Sequence, residues 1–308
     1  MTPRPVDFRG LTSGDAAAAL ALLASARPAP TVMASAEATA AAWSAPGAGF
    51  AAIDQDRGLT ALATLHLAPS IYTGADWAHI EDVVVRSTVG AQLTEPLLRH
   101  ALTELAARGF PQTSVGIPPG QEWLAVAARA AGFIDELLYM GRGALGEVRG
   151  GVPTGWRSAV PAGLSVRAAH DGDAAALDEL VAVFARELGY PSGADPATVR
   201  DFLGRPNTGA MIAELEGEPA GFIATSSAFS LHYGGPTLML DDLVVRPEAR
   251  RRGIARALVE GSLESAAARG ATTARLWMQG DDEVARRFYA SLGFSADGHV
   301  LMLPEDAR

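Results

Sequence analysis

The spacing of apolar residues along the chain switches between a helical period and a strand period, and the switches outline a mixed α and β protein. Residues 173–188 carry apolar positions at three- and four-residue intervals, which predicts an amphipathic helix, and 210–215 read as a strand. The Gly217-Glu218 turn leads to a strand over 221–229, and another follows over 237–245. A helix is predicted from about Gly253 to Arg269, with Gly270 closing it. A strand over 275–279, a short helix over 282–292 and a last strand over 300–303 complete this half. The earlier half reads in the same order: helical pieces, several strands, a long helix, a strand, a short helix and a final strand. Together they predict an α+β fold in which a mixed, mostly antiparallel sheet is flanked by helices.

The two halves also match residue by residue, at an offset of about 160. Arg9 with Gly14-Asp15-Ala16-Ala17-Ala18 parallels Arg167 with Gly172-Asp173-Ala174-Ala175-Ala176. Glu81-Asp82-Val83-Val84-Val85-Arg86 parallels Asp241-Asp242-Leu243-Val244-Val245-Arg246. Ala106-Ala107-Arg108-Gly109 and Ala131-Gly132-Phe133 parallel Ala267-Ala268-Arg269-Gly270 and Leu292-Gly293-Phe294. Two copies of one domain are implied, over 1–145 and 164–308, joined by a linker over 146–163. The apolar run 16–23 followed by Ala24-Ser25-Ala26 has the outline of a secretory signal. Asp15 abuts it, and its counterpart recurs in the second copy, so it reads as the first helix of a repeat. The stretch 141–163 is rich in Gly and Pro and includes a formal GxGxxG at Gly141-Arg142-Gly143-Ala144-Leu145-Gly146. No helical pattern follows it, which removes the dinucleotide-binding reading.

Composition narrows the chemistry. There is no cysteine among the 308 residues and no lysine, all 25 basic residues being arginine. Disulfides, thiolate metal sites, cysteine nucleophiles, a Walker lysine and a Schiff-base lysine are therefore excluded. A net charge of −10 argues against broad nucleic-acid binding. No uncharged apolar stretch is long enough to span a bilayer. A cytoplasmic location is compatible with these exclusions, and no metal is called for.

The most informative segment runs from Leu243-Val244-Val245 through Arg246-Pro247-Glu248-Ala249 to Arg250-Arg251-Arg252-Gly253-Ile254-Ala255-Arg256. A branched apolar strand passes through a short polar loop straight into a helix, so the helix's first amides converge on one spot. Such a terminus binds phosphate, with the arginines assisting. Downstream stands Ala285-x-x-Phe288-Tyr289-x-x-Leu292-Gly293-Phe294. The pair of motifs resembles the GNAT (general N-acetyltransferase) superfamily, whose acetyl-CoA loop reads Gln/Arg-x-x-Gly-x-Gly/Ala. Arg250, Gly253 and Ala255 match it.

The resemblance implies two tandem GNAT-like domains. It implies that the pyrophosphate of acetyl-CoA, a co-substrate, sits on the amides of Arg251, Arg252, Gly253, Ile254, Ala255 and Arg256. The pantetheine chain would pair with Leu243, Val244 and Val245, where neighbouring strands splay apart. Tyr289 would protonate the departing thiolate, and acetyl would pass directly to a primary amine of a small molecule or peptide. Asp241 or Asp242 would take the amine's proton. Strand alternation places only one of them in the cleft, and Asp241 is preferred. Asp282 stands where the family often has an Asn that contacts CoA, and it also reads as a helix N-cap. Trp277 replaces a catalytic Glu of some relatives. His232 and Tyr233 are further acceptor-site candidates. A mycothiol synthase-like acetyltransferase and a non-catalytic acyl-CoA-binding regulatory module are the alternatives.

In the first copy Gly90, Leu93, Glu95 and Ala128 replace Arg250, Gly253, Ala255 and Tyr289, so phosphate binding and acid catalysis are expected to be lost there. Glu81 and Asp82, with His79 and Trp77, would form a ligand pocket or merely cap a strand, and a structural or substrate-lining role is expected for this half.

Overall fold

The structure, a computed structural model, describes residues 6–26, 34–44, 47–87, 92–110, 112–142, 162–189 and 193–303. The first half runs β1 (Val6–Gly10), α1 (Ala16–Ala26), α2 (Ala36–Ala42), β2 (Gly49–Asp54), β3 (Gly58–Pro69), β4 (Asp76–Val85), α3 (Thr94–Ala107), β5 (Gln112–Ile117), α4 (Glu122–Ala131) and β6 (Asp135–Arg142). The second repeats it as β7 (Leu164–Ala168), α5 (Ala174–Leu188), α6 (Pro196–Gly204), β8 (Thr208–Leu215), β9 (Glu218–Ser230), β10 (Gly235–Val245), α7 (Ile254–Ala268), β11 (Thr273–Met278), α8 (Glu283–Ala290) and β12 (Ser295–Met302). Gly143 to Gly146, and most of the expected linker, lie outside the described residues.

Each half opens on a short strand that the apolar pattern does not announce. β1 and β7 lie at the two edges of the sheet and are at most half-buried, so neither needs a continuous apolar face. In both halves an arginine of this strand grips the aspartate before the first helix through two bonds of 2.7 Å, Arg9 to Asp15 and Arg167 to Asp173. That is the physical content of the repeated Arg and Gly-Asp-Ala pattern.

All described strands belong to one sheet, in the order β1-β2-β3-β4-β5-β12-β6-β11-β10-β9-β8-β7. Only β4 with β5 and β10 with β11 run parallel. The halves exchange their last strands: β12 inserts between β5 and β6, and β6 pairs with β11 of the second half. Helices cover both faces. α3 and α4 pack on one side of the first half and α1 on the other, as α7 does on one side of the second and α5 and α6 on the other. Among the described residues, no helix is long and apolar enough to cross a membrane.

The halves interlock by their hairpins as well. The β3–β4 turn buries Ile71 in the core under α5 and α6, and the β9–β10 turn buries Leu231 in the core under α1. Asp82 holds the second hairpin. Its carboxylate accepts from the amides of Leu231 (2.8 Å) and His232 (3.1 Å) and from the hydroxyls of Thr64 (3.0 Å) and Ser230.

Behind it, Arg275 of β11 and Glu81 of β4 form a buried ion pair, with the guanidinium 3.5 Å from the centre of the Tyr139 ring. Burial pushes the Glu81 carboxyl up to about 7 although Arg275 opposes the rise. Arg275→Met should cost about 3–5 kcal/mol, because it strands a buried carboxylate. Urea unfolding of the full chain measures this; a midpoint unchanged from the parent would show that the pair is dispensable.

Candidate active site

The second half builds an anion cradle from its local sequence. β10 ends at Val245, one turn of tight helix spans Pro247–Ala249, and α7 starts at Ile254 with Gly253 as its N-cap. Gly253 has φ +79° with open space where a Cβ would stand, and Arg251 also takes the left-handed region at φ +61°. The first helical bond runs from Ala257 N–H to Gly253 O (3.0 Å), so the amides of Ile254, Ala255 and Arg256 have no partner within the helix. The arginines divide the work. Arg250 braces the loop, its Nε donating to Val245 O (2.9 Å) and its guanidinium pairing with Glu187. Arg256 donates to Ser291 Oγ (2.7 Å) on the far side of α8. Arg251 and Arg252 are exposed beside the cradle. This donor set fits a diphosphate.

The strand next to the cradle is open. β10 pairs with β11 only over Thr237, Leu238 and Met239, and from Leu240 onward the two diverge. Leu243, Val244 and Val245 therefore pair with β9 on one side and leave their other edge unpaired by β11. An extended chain such as pantetheine can add there by strand-like pairing.

Where the strands part, β10 carries a bulge at Asp241. A bulge inserts one residue and breaks alternation, so the expectation that a single aspartate faces the cleft is corrected. Both line one cavity of about 180 Å³, together with Ser70, Tyr72, Thr73, Trp77, Ser114 and Trp277 among others. Neither carboxylate oxygen of Asp241 has a hydrogen-bond partner, and burial, with Asp242 adjacent, pushes its carboxyl well above the usual range. Burial raises Asp242 to about 6.

Tyr289 lies on α8 with its ring 5.7 Å from that of Phe294. Burial raises its phenol, and Asp242 and Asp282 raise it further, although Tyr289 is not among the residues that line the cavity. Asp282 caps α8, accepting from Ala285 N–H at 2.9 Å. Its carboxylate is committed to the helix.

Other candidates fall elsewhere. His232 and Tyr233 are not among the cavity's lining residues. The His232 amide is bound to Asp82, and the Tyr233 hydroxyl to Asp297. Trp77 lines the cavity with Asp241 and Asp242, 5.2 Å from Trp277, whereas His79, Glu81 and Asp82 are not among its lining residues. His79 is internal, its Nδ1 2.8 Å from Ser114 Oγ, and burial holds it neutral. In the first half α3 begins at Thr94, after Leu93 in the ordinary right-handed region, and Glu95 stands in its first turn. Gly90 lies outside the described residues, and Ala128, at the position matching Tyr289, is a buried core methyl. Arg275 escaped the sequence reading, since no local pattern marks contacts that span the two halves.

Residues 177–294 match the model of the acetyltransferase (GNAT) family. It is 40% identical over 90 residues to an uncharacterised N-acetyltransferase of Archaeoglobus fulgidus, covering 29% of this chain and 61% of that one. It is 35% identical over 101 residues to a mycothiol acetyltransferase of Mycolicibacterium vanbaalenii, covering 33% of this chain and 31% of that one. The matches thus span less than two thirds of either relative. Over 97% of both chains the fold is similar to that of a tandem GNAT protein from the clavulanic acid biosynthesis pathway, with a TM-score of 0.60 and 18% identity.

Proposed function

We propose that the chain is an acetyl-CoA-dependent N-acetyltransferase whose single active site lies in the second half and acts on a primary amine. The observation that carries this reading is the divergence of β10 and β11 after Met239, beside both the cradle at Gly253 and the acid-lined cavity. The amides of Ile254, Ala255 and Arg256, with Arg251 and Arg252, hold the diphosphate, and the open edge of β10 holds the pantetheine arm. Acetyl-CoA supplies the activated acyl group as a thioester.

Asp242, rather than Asp241, is the base, because burial raises its carboxyl only to about 6, whereas burial and the adjacent Asp242 favour the neutral form of Asp241. It receives the ammonium proton of the acceptor, leaving a nitrogen lone pair free to attack the thioester carbon. As the C–S bond breaks, Tyr289 gives its proton to the sulfur, and the proton remaining on nitrogen restores the phenol. No group on the enzyme is acylated. The first half, its counterpart opening closed by Asp82 on the β9–β10 hairpin, acts as a wall. A mycothiol-type acceptor, a cysteinyl pseudo-disaccharide, exceeds a cavity of about 180 Å³. Against a purely regulatory acyl-CoA binder stands Tyr289, which binding alone does not require.

The test is thiol release from acetyl-CoA with a panel of amines between pH 5 and 9. With Asp242 at about 6, kcat/KM should rise tenfold per pH unit below 6 and level off above it. Asp242→Asn should remove that limb and most of the rate. A limb that persists unchanged in the variant would assign the base elsewhere.

A further inference from the structure

The cavity that holds Asp241 and Asp242 has walls from both halves, and the walls differ in kind. The acidic wall is β10 of the second half. Opposite it, Trp77 of β4 meets Trp277 of β11 edge to face, with ring centres 5.2 Å apart at 78°. Tyr72, from the β3–β4 turn, completes the aromatic side and is held in place by Phe184 of α5, 5.8 Å away at 85°. Ser114 of β5 is fixed there by His79. The position matching Trp77 in the second half is Thr237, so the repeat has no second aromatic wall of this kind.

We infer that this cavity takes a small amine with one positive charge on a flat apolar body, an arylalkylamine-type acceptor, and that the first half supplies the aromatic wall that selects it. The inference rests on the acetyltransferase reading for the chemistry but not for the binding. Three observations support it. The volume, about 180 Å³, lies below the roughly 300–1,000 Å³ of sites for drug-sized ligands, which favours a small amine over an aminoglycoside or an extended peptide. The lining has two carboxylates and no other charged side chain, and they adjoin at a bulge. Like charges so close do not both ionise in a buried site, so the cavity balances one ammonium and not a polycation. Two indoles and a phenol, finally, match a flat apolar group and attract a cation through their ring faces.

The experiment measures binding to the full chain by tryptophan fluorescence and calorimetry, with 2-phenylethylamine, spermidine and kanamycin as probes. 2-Phenylethylamine should bind saturably and at least about tenfold more tightly than spermidine or kanamycin. Trp77→Leu should weaken it about tenfold while leaving acetyl-CoA affinity unchanged. If Trp77→Leu does not fold, Tyr72→Leu, nearer the mouth, should show the same selective loss. Tighter binding of spermidine or kanamycin would overturn the inference, as would full 2-phenylethylamine affinity in the folded variants. Failure of the parent chain to bind acetyl-CoA would overturn the transferase reading instead, with the amine-binding results still deciding the cavity's preference.

Discussion

Gly253→Glu should reduce acetyl-CoA affinity by at least about 100-fold in calorimetry while the protein stays folded. Two effects separate cleanly at this position. A side chain in the left-handed region costs about 1–2 kcal/mol, and the neighbouring Arg251 already adopts φ +61°, so the loop tolerates that conformation. No atom within 4 Å obstructs a new Cβ. The carboxylate, however, would occupy the spot on which the amides of Ile254, Ala255 and Arg256 converge. Each hydrogen bond to a charged phosphate contributes about 1.5–3 kcal/mol, and losing two of them predicts the stated drop. Gly253→Ala carries the strain without the charge and should lose less than about tenfold. Equal affinity in Gly253→Glu and the parent would place the nucleotide elsewhere on the molecule.

Tyr289→Phe should lower kcat by about 10- to 1000-fold with acetyl-CoA affinity nearly unchanged, if its hydroxyl protonates the leaving sulfur. Burial, then Asp242 and Asp282, keep that hydroxyl protonated across the working pH range, so the parent should show no decline in kcat up to pH 9. The packing contribution of the residue resides in its ring, which touches Phe288 and Phe294 and which Phe preserves. A variant that turns over as fast as the parent would reduce Tyr289 to a core aromatic. Stopped assays of thiol release under saturating amine make the distinction.

The tandem origin of the chain leaves two sites of one design in different states. Glu81 and Asp82 match Asp241 and Asp242 in position, yet the first pair is spent within the protein, Glu81 on Arg275 and Asp82 on the β9–β10 hairpin. Ser114, at the position corresponding to Arg275, offers Asp241 no charge. A single arginine on β11 therefore neutralises the acid of one half and has no counterpart to neutralise that of the other.

What could be read along the chain was whatever depends on near neighbours. The repeat, the helices α5, α7 and α8, the strand-loop-helix turn at Gly253 and the cap at Asp282 all follow from spacing and local hydrogen bonding, and they stand where those patterns put them. The edge strands β1 and β7 were missed because half-exposed strands need no continuous apolar stripe. The exchange of β6 and β12 has no signature at all: as copies of one strand they offer the same alternation to either sheet, and periodicity is blind to which one they join. The bulge at Asp241, the Arg275–Glu81 pair and the meeting of Trp77 with Trp277 belong to the same class. They join residues that are distant in sequence or depend on how two strands register, and such contacts exist only once the halves have closed on each other.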